Sequence, residues 1–360
     1  MKNNFWKNKR VLITGHTGFK GCWLTLMMHN LGAKTFGYAI NPISKPDFFD
    51  EMKLRRFLVK DYRRDINDFN SLNKVIKKHK PQIVFHLAAQ SSVLVSYQDP
   101  IDTIKTNVLG TTNILEAINS SKSVKVGVIV TTDKVYLNLE RQKKFVENDP
   151  LGGHDIYSGS KAASEIVFQS YFQSFFNSKK INLATVRSGN CIGGGDWTKD
   201  RIMKDCAEKL IFNKKIVIRS PNASRPWQHV IEPLHGYIKL AEKMYFNKNF
   251  NGSWNFGPNL KDNMKVLKLV NFSKKILSSK SKIFKEKQKY YESNHLSLNS
   301  SKTLKKLKWK TLLRAKEAIQ MTLEWYSFYY KNRKLNKDKI IKFSINQIKE
   351  YNKITLKRKI

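Results

Sequence analysis

The stretch TGHTGFKG at residues 14–21 restricts the fold more than any other part of the chain. An apolar run, RVLITG at 10–15, leads into it. Phe19, Trp23, Met27 and Leu31 follow at intervals of four, the spacing of one helix face. Gly15, Gly18 and Gly21 therefore occupy the turn of a strand-turn-helix unit. Glycine lets the backbone bend sharply and lets a pyrophosphate approach it, while the helix N-terminus offers free N–H groups to the phosphates. A purely structural turn is the competing reading, and the strand-to-helix context weighs against it.

The alternation continues. The pattern predicts strands at 10–15, 34–40, 82–89, 125–132 and 181–189, and helices at 19–31, 68–79, 99–119 and 157–176. Strands alternating with helices imply a parallel sheet covered on both faces. Residues 1–190 thus read as an α/β unit, a Rossmann-type doubly wound parallel sheet with its site at the carboxyl ends of the strands. After Asn190 the elements shorten. Residues 191–342 read mainly as a smaller substrate-binding lobe, with some chain returning to the sheet. Residues 343–360 form a basic C-terminal segment in which FSINQIKEY (343–351) predicts a docked helix with frayed last residues.

The formal charge of +39, from 67 Lys and Arg against 28 Asp and Glu, raises the question of nucleic acid. The lysines run the whole length and come with abundant Asn and Ile, which reads as codon bias. No helix-turn-helix, zinc-finger or aromatic RNA-binding signature accompanies them, so no specific nucleic-acid partner is expected. No apolar stretch reaches the roughly 20 residues that span a bilayer. MKNNFWKNKRVLITG carries no leader-like apolar core, and Cys22, Cys191 and Cys206 are scattered. Both features predict a reducing cytoplasm. The eight histidines lack metal-ligand spacing, and no metal is expected.

Two stretches carry chemistry. VTTDKVYLN (130–138) sets Asp133 and Lys134 side by side at the end of a buried strand, where a solvated turn is the bland alternative. Tyr157 and Lys161 stand four apart on a predicted helix and share a face. A lysine beside a phenol stabilises phenolate, and phenolate accepts a proton from a hydroxyl as hydride leaves the same carbon.

The TGxxGxxG spacing, followed in order by Asp65-Ile66, Leu87-Ala88-Ala89, Asn107, Thr132 and YxxxK at 157–161, resembles the extended short-chain dehydrogenase/reductase family. The resemblance implies NAD, held by Gly15, Thr17, Gly18, Phe19, Lys20, Gly21, Asp65, Ile66, Leu87, Ala88, Ala89, Asn107, Tyr157 and Lys161. One departure stands out: many members carry an acid after the second strand, whereas GYAINP here has Ala39. NAD rather than NADP therefore rests on the resemblance.

Four longer stretches are similar to the CDP-glucose branch of the sugar-nucleotide 4,6-dehydratases. They are HLAAQSSVLVSYQDP (86–100), ENDPLGGHDIYSGSKAASE (147–165), GNCIGGGDW (189–197) and RPWQHVIEPLHGY (225–237). The likeness covers almost the whole chain and implies a lyase of deoxysugar and surface-polysaccharide (O-antigen) synthesis. The resemblance implies that CDP-glucose is oxidised at C4, loses H5 and the C6 hydroxyl, and regains hydride at C6. Catalytic candidates are Thr132, Asp133, Lys134, Tyr157 and Lys161. Asp133 is the candidate acid, which requires a pKa raised by burial. Lys134 is either the C5 base, if neutral, or a cation that stabilises the enolate. By position in the family, Gln90, Asn190, Arg201, Arg219, Arg225 and Asn255 face the substrate, the arginines on its pyrophosphate. Trp197 and Trp227 read as lobe core. The helices at 99–119 and 157–176 imply a homodimer or tetramer interface, against the alternative that they bury their faces on the sheet. An epimerase or reductase on this fold needs Tyr157 and Lys161 but not the Asp-Lys pair. A nucleic-acid-binding protein that has kept the cofactor turn has only the net charge in its favour.

Overall fold

The computed structural model describes residues 4–140, 143–258, 262–286, 296–334 and 336–358. Its centre is a seven-stranded sheet of β1 (Arg10–Thr14), β2 (Lys34–Ala39), β3 (Lys60–Arg63), β4 (Ile83–His86), β5 (Val126–Val130), β6 (Asn182–Ser188) and β7 (Gly252–Phe256). The spatial order is β7-β6-β5-β4-β1-β2-β3, and every pairing is parallel. The order reverses between β1 and β4, the switch point at which such sheets open a crevice.

Strand residues alternate between two cores, as a period of two requires. Val11, Ile13, Ile83, Phe85, Val126, Val128, Ala184 and Val186 join one cluster, while Leu12, Val84, Ile129 and Leu183 join the other. Both faces are apolar because both are covered, which is why these strands read as continuous hydrophobic runs. Helices α1 (Phe19–Asn30) and α4 (Ile231–Phe246) cover the first face. Helices α2 (Gly110–Asn119) and α3 (Ile156–Tyr171) cover the second, beside the helix Phe69–His79.

The single helix expected at 99–119 is interrupted. Pro100–Ile104 passes through a π-helical turn, Lys105–Leu109, before α2 begins. A second π turn, Phe172–Phe176, prolongs α3. A π turn inserts a residue and swings side chains out of register, and periodicity alone does not reveal it. Beyond residue 191 the chain returns to the sheet as α4 and β7. The lobe packs around Trp197, Trp325 and Tyr329, with Trp325 stacked on Tyr329 at 5.4 Å. The terminal helix α6 (Lys337–Lys357), introduced after α5 (Ala315–Asn332), starts six residues before the expected stretch. It docks through Ile340, Ile341, Ile348 and Tyr351, and Trp325 Nε1 donates to Ser344 Oγ at 2.8 Å.

Candidate active site

A cleft of about 590 Å³ runs across the carboxyl ends of the strands. At one end lies the glycine turn. Gly15 has φ +71°, and a Cβ there would stand 2.6 Å from Ala88 N. A Cβ on Gly21 would collide with the Gly15 carbonyl. Side chains at either position would close the turn, so the backbone approach that a pyrophosphate needs depends on both glycines. Thr14 Oγ1 bonds His86 Nδ1 at 2.8 Å and accepts from Ala88 N at 3.3 Å, which ties β1 to β4 at the switch point. Thr17, Gly18, Phe19, Lys20, Asp65, Ile66, Leu87, Ala88 and Ala89 line the same cleft. Where the acid after β2 is missing, Asn41 and Ser44 line it instead. Their place just beyond that strand is the signal by which they are legible.

Thr132, Asp133, Lys134, Tyr157 and Lys161 meet at the middle of the cleft. A short 3₁₀ turn, Asp133–Val135, follows β5 with Thr132 as its cap. Asp133 is buried. It accepts from Thr132 Oγ1 at 3.1 Å, and its Oδ2 lies over Gly189, where a Cβ would stand only 2.7 Å away. Burial raises its pKa, offset in part by Lys134, Thr132, Arg225 and Lys20, so the carboxyl holds its proton above the ordinary range. That is the direction an acid at this position requires. Asp155 caps α3 and accepts from Ser158 N, which places Tyr157 in the first turn of that helix.

The phenol does not behave as its neighbour lysine suggests. Burial raises the pKa of Tyr157, and Thr132, Lys20 and Arg201 offset this only in part. Lys161 Nζ donates to the Val130 carbonyl at 3.3 Å. Its own pKa is pulled down to about 8 by burial and by Lys20, with Glu165 opposing. Desolvation is the largest influence at both groups. One turn further along α3, Glu165 receives Arg187 through Nε and Nη2, each at 2.8 Å, and the hydroxyls of Thr131 and Thr185 at 2.6 and 2.7 Å. A buried ion pair this fully hydrogen-bonded holds the tyrosine helix on β5 and β6.

The far end of the cleft carries Asn190, Arg201, Arg219 and Arg225. Arg219 pairs with Asp200 at 2.8 Å, and Arg201 lies 3.6 Å from Asp196. Trp197 and Trp227 are buried, and Trp227 Nε1 donates to Met264 O at 2.9 Å.

Three expected contacts face elsewhere. Asn255 is wholly buried: its Nδ2 donates to Phe145 O at 2.9 Å and its Oδ1 accepts from Tyr136 OH at 2.7 Å. It fastens β7 to the short strand Lys144–Phe145 rather than lining the cleft. Gln90 spends its amide on Ser92 O and Thr103 Oγ1, at 3.0 and 2.9 Å. Asn107, in the π turn, donates to Gln90 O at 3.0 Å and Ser160 Oγ at 2.8 Å and accepts from Gln90 N at 2.9 Å. It braces the cleft wall against α3 and does not line the cleft. In each case groups that the fold brings together claim the amide, a competition that a motif match does not show. Sequence reasoning also missed Ser188 and Tyr237. Ser188 Oγ accepts from Lys20 Nζ at 2.9 Å and from Tyr237 OH at 2.8 Å, contacts between distant segments with no local signal.

A family model described as GDP-mannose 4,6 dehydratase matches residues 12–322. The CDP-glucose 4,6-dehydratase of Salmonella typhimurium (strain LT2) is 39% identical over 330 residues, covering 90% of this chain and 92% of that one. Among solved structures, UDP-glucose 4-epimerase of Thermotoga maritima with UDP-glucose superposes with a TM-score of 0.77 at 19% identity, over 89% of this chain and 99% of the other. The dTDP-glucose 4,6-dehydratase of Bacillus anthracis in complex with NAD gives 0.76 at 21%, over 90% and 98%. The two structural likenesses establish the fold.

Proposed function

The chain belongs to the GDP-mannose 4,6 dehydratase family, and we propose that it converts CDP-glucose to CDP-4-dehydro-6-deoxyglucose and water. The observation that carries this reading is the buried Asp133, beside Lys134, at the floor of the cleft that also holds Tyr157. An epimerase or reductase needs the tyrosine but has no use for a buried proton donor beside it. NAD on the glycine turn supplies a hydride acceptor at C4 and a hydride donor at C6. As phenolate, Tyr157 takes the C4 hydroxyl proton, and Thr132 orients that oxygen. The C4 ketone acidifies H5; Lys134 either takes that proton as the base, or as a cation stabilises the enolate while the proton passes to water, and a proton returns to C5 as hydride enters C6. Asp133 protonates the C6 hydroxyl, which leaves as water. Arg225, with Arg201 and Arg219, binds the pyrophosphate through paired N–H groups.

The apolar side chains that α2, α3 and the preceding helix leave outside, Ile101 at 67% exposure and Ile166 at 54%, support a homodimer through that face. Among the described residues no helix is long and apolar enough to cross a membrane, and the reading places the enzyme in the cytoplasm. The test is incubation with CDP-, dTDP-, UDP- and GDP-glucose. CDP-glucose is expected to yield the 4-keto-6-deoxy product with no lasting rise in NADH absorbance. Lasting, stoichiometric NADH would mean a simple dehydrogenase and would overturn the reading.

A further inference from the structure

We propose that Tyr136 is a positioning residue for the dehydration half of the reaction: through Arg187 it holds the Asp133–Lys134 turn in a fixed place against the helix of Tyr157. The proposal rests on the roles given to Asp133 and Lys134 above. Tyr136 does not line the cleft. It is buried two residues beyond Lys134, with its ring stacked on Phe145 at 4.8 Å. Its hydroxyl donates to Asn255 Oδ1 and accepts from Arg187 Nη1, both at 2.7 Å. Burial pushes its pKa up to about 12, so the phenol keeps the proton that it donates.

Arg187 is fully buried, and each of its five N–H groups has a partner. Nε and Nη2 donate to Glu165, Nη1 donates to Tyr136 OH and to Glu147 O at 2.9 Å, and Nη2 also reaches Ser253 Oγ of β7 at 3.1 Å. Glu165 accepts from Thr131 Oγ1 at 2.6 Å. The segment 131–136 is therefore fastened to one ion pair at both ends, at Thr131 before the Asp133–Val135 turn and at Tyr136 after it. Glu165 follows Tyr157 and Lys161 along α3, so the same pair fixes the helix that carries them. Asp133 Oδ2 lies over Gly189, two residues past Arg187. Stability alone does not call for this arrangement, because an apolar cluster of equal volume often stabilises as well as a buried ion pair. What the pair supplies is direction. Fixed N–H groups join the oxidation side of the cleft to the elimination side, and proton transfer at C5 and C6 is sensitive to placement, with a shift of about 1 Å costing up to about 10²-fold. Main-chain bonds from Gly152 N to Val135 O at 2.8 Å and from Leu137 N to Pro150 O at 2.9 Å hold the path of the turn by themselves. Loss of the hydroxyl thus moves the turn's side chains without unfolding it.

Tyr136→Phe removes the hydroxyl and keeps the ring on Phe145. With the NAD-loaded enzyme and CDP-glucose, the bound NADH that reports C4 oxidation should form at the parent rate in a single turnover, and KM should hold. Decay of that NADH needs elimination and hydride return, so it should slow about 10-fold, and the share of enzyme carrying NADH during turnover should rise. Asn255→Ala removes the acceptor of the hydroxyl and should slow the decay by less; it serves should the phenylalanine variant fail to fold. Parent-like decay in both variants, or formation and decay slowed together, would overturn the proposal and leave Tyr136 a packing residue. A parent enzyme that forms NADH from CDP-glucose but no 4-keto-6-deoxy product would overturn the dehydratase reading itself, and the proposal with it.

Discussion

Asp133 and Tyr157 divide the proposed reaction between them, and substitutions should separate its halves. Asp133→Asn keeps the size of the side chain but has no carboxyl proton to give to the C6 hydroxyl. Lys134→Met keeps the length and removes the amine. C4 oxidation depends on Tyr157 and Lys161, so either variant should still form enzyme-bound NADH in a single turnover. Elimination should slow about 10²–10⁴-fold, the scale of a lost general acid or base, and a 4-keto glucose intermediate should accumulate. Solvent-deuterium exchange at C5 distinguishes the two residues. Asp133→Asn should permit exchange, whereas Lys134→Met should block it if the amine is the base. Tyr157→Phe should instead abolish the NADH signal. Parent-rate dehydration by both Asp133→Asn and Lys134→Met would reduce the pair to a turn.

Helix α4 carries a further buried carboxyl, remote from this chemistry. Glu232 Oε1 accepts from Leu312 N and Leu313 N at 2.5 and 3.0 Å, joining α4 to the segment before α5. Its Oε2 is buried with no hydrogen-bond partner among the described residues. Burial raises its pKa to about 8, and the two N–H donors offset this only in part. Because the folded value lies above the ordinary 4.5, the folded chain holds the proton more tightly than the unfolded chain does. The stability from this group is complete at acid pH and is lost as pH rises through about 8. Urea midpoints should therefore fall between about pH 4.5 and pH 8 and level off above that, a loss of stability on the order of a few kcal/mol at most. Glu232→Gln keeps an acceptor for both N–H groups and should flatten that fall. An equal fall in parent and variant would mean that other groups carry the pH dependence.

The exposed face of Ile101, Ile104, Leu109 and Ile166 is where two copies are expected to meet. Isolated apolar residues are normal on a surface, but four on adjoining helices form a patch. Ile166→Glu with Ile101→Glu places charge on that face, and sedimentation is expected to show a dimer for the parent and a monomer for the variant. A parent that sediments as a monomer at micromolar concentration would remove the interface. The net charge of +39 argues neither for nor against this, because it is spread along the whole chain.

The glycine turn, the strand-helix alternation and the Tyr157–Lys161 spacing were legible because each depends on local chain geometry. Backbone approach at Gly15, the continuous apolar run of β5 and the four-residue spacing in α3 are set within a few residues. Local pattern also placed Thr132, Asp133 and Lys134, since the end of a parallel strand is where such sheets put their sites. Charge states and amide partners were not legible. Tyr157 is raised rather than lowered because burial, a property of the packed fold, outweighs Thr132, Lys20 and Arg201 around it. Asn107, Gln90 and Asn255 face backbone groups that folding brings to them, from as far as 110 residues along the chain. Ser188 reaches Lys20 across 168 residues, a contact that no window of sequence contains. Desolvation and long-range hydrogen bonding are created only when the two cores close on the sheet, so the tertiary structure alone decided how the residues named by the motif are charged and which way they point.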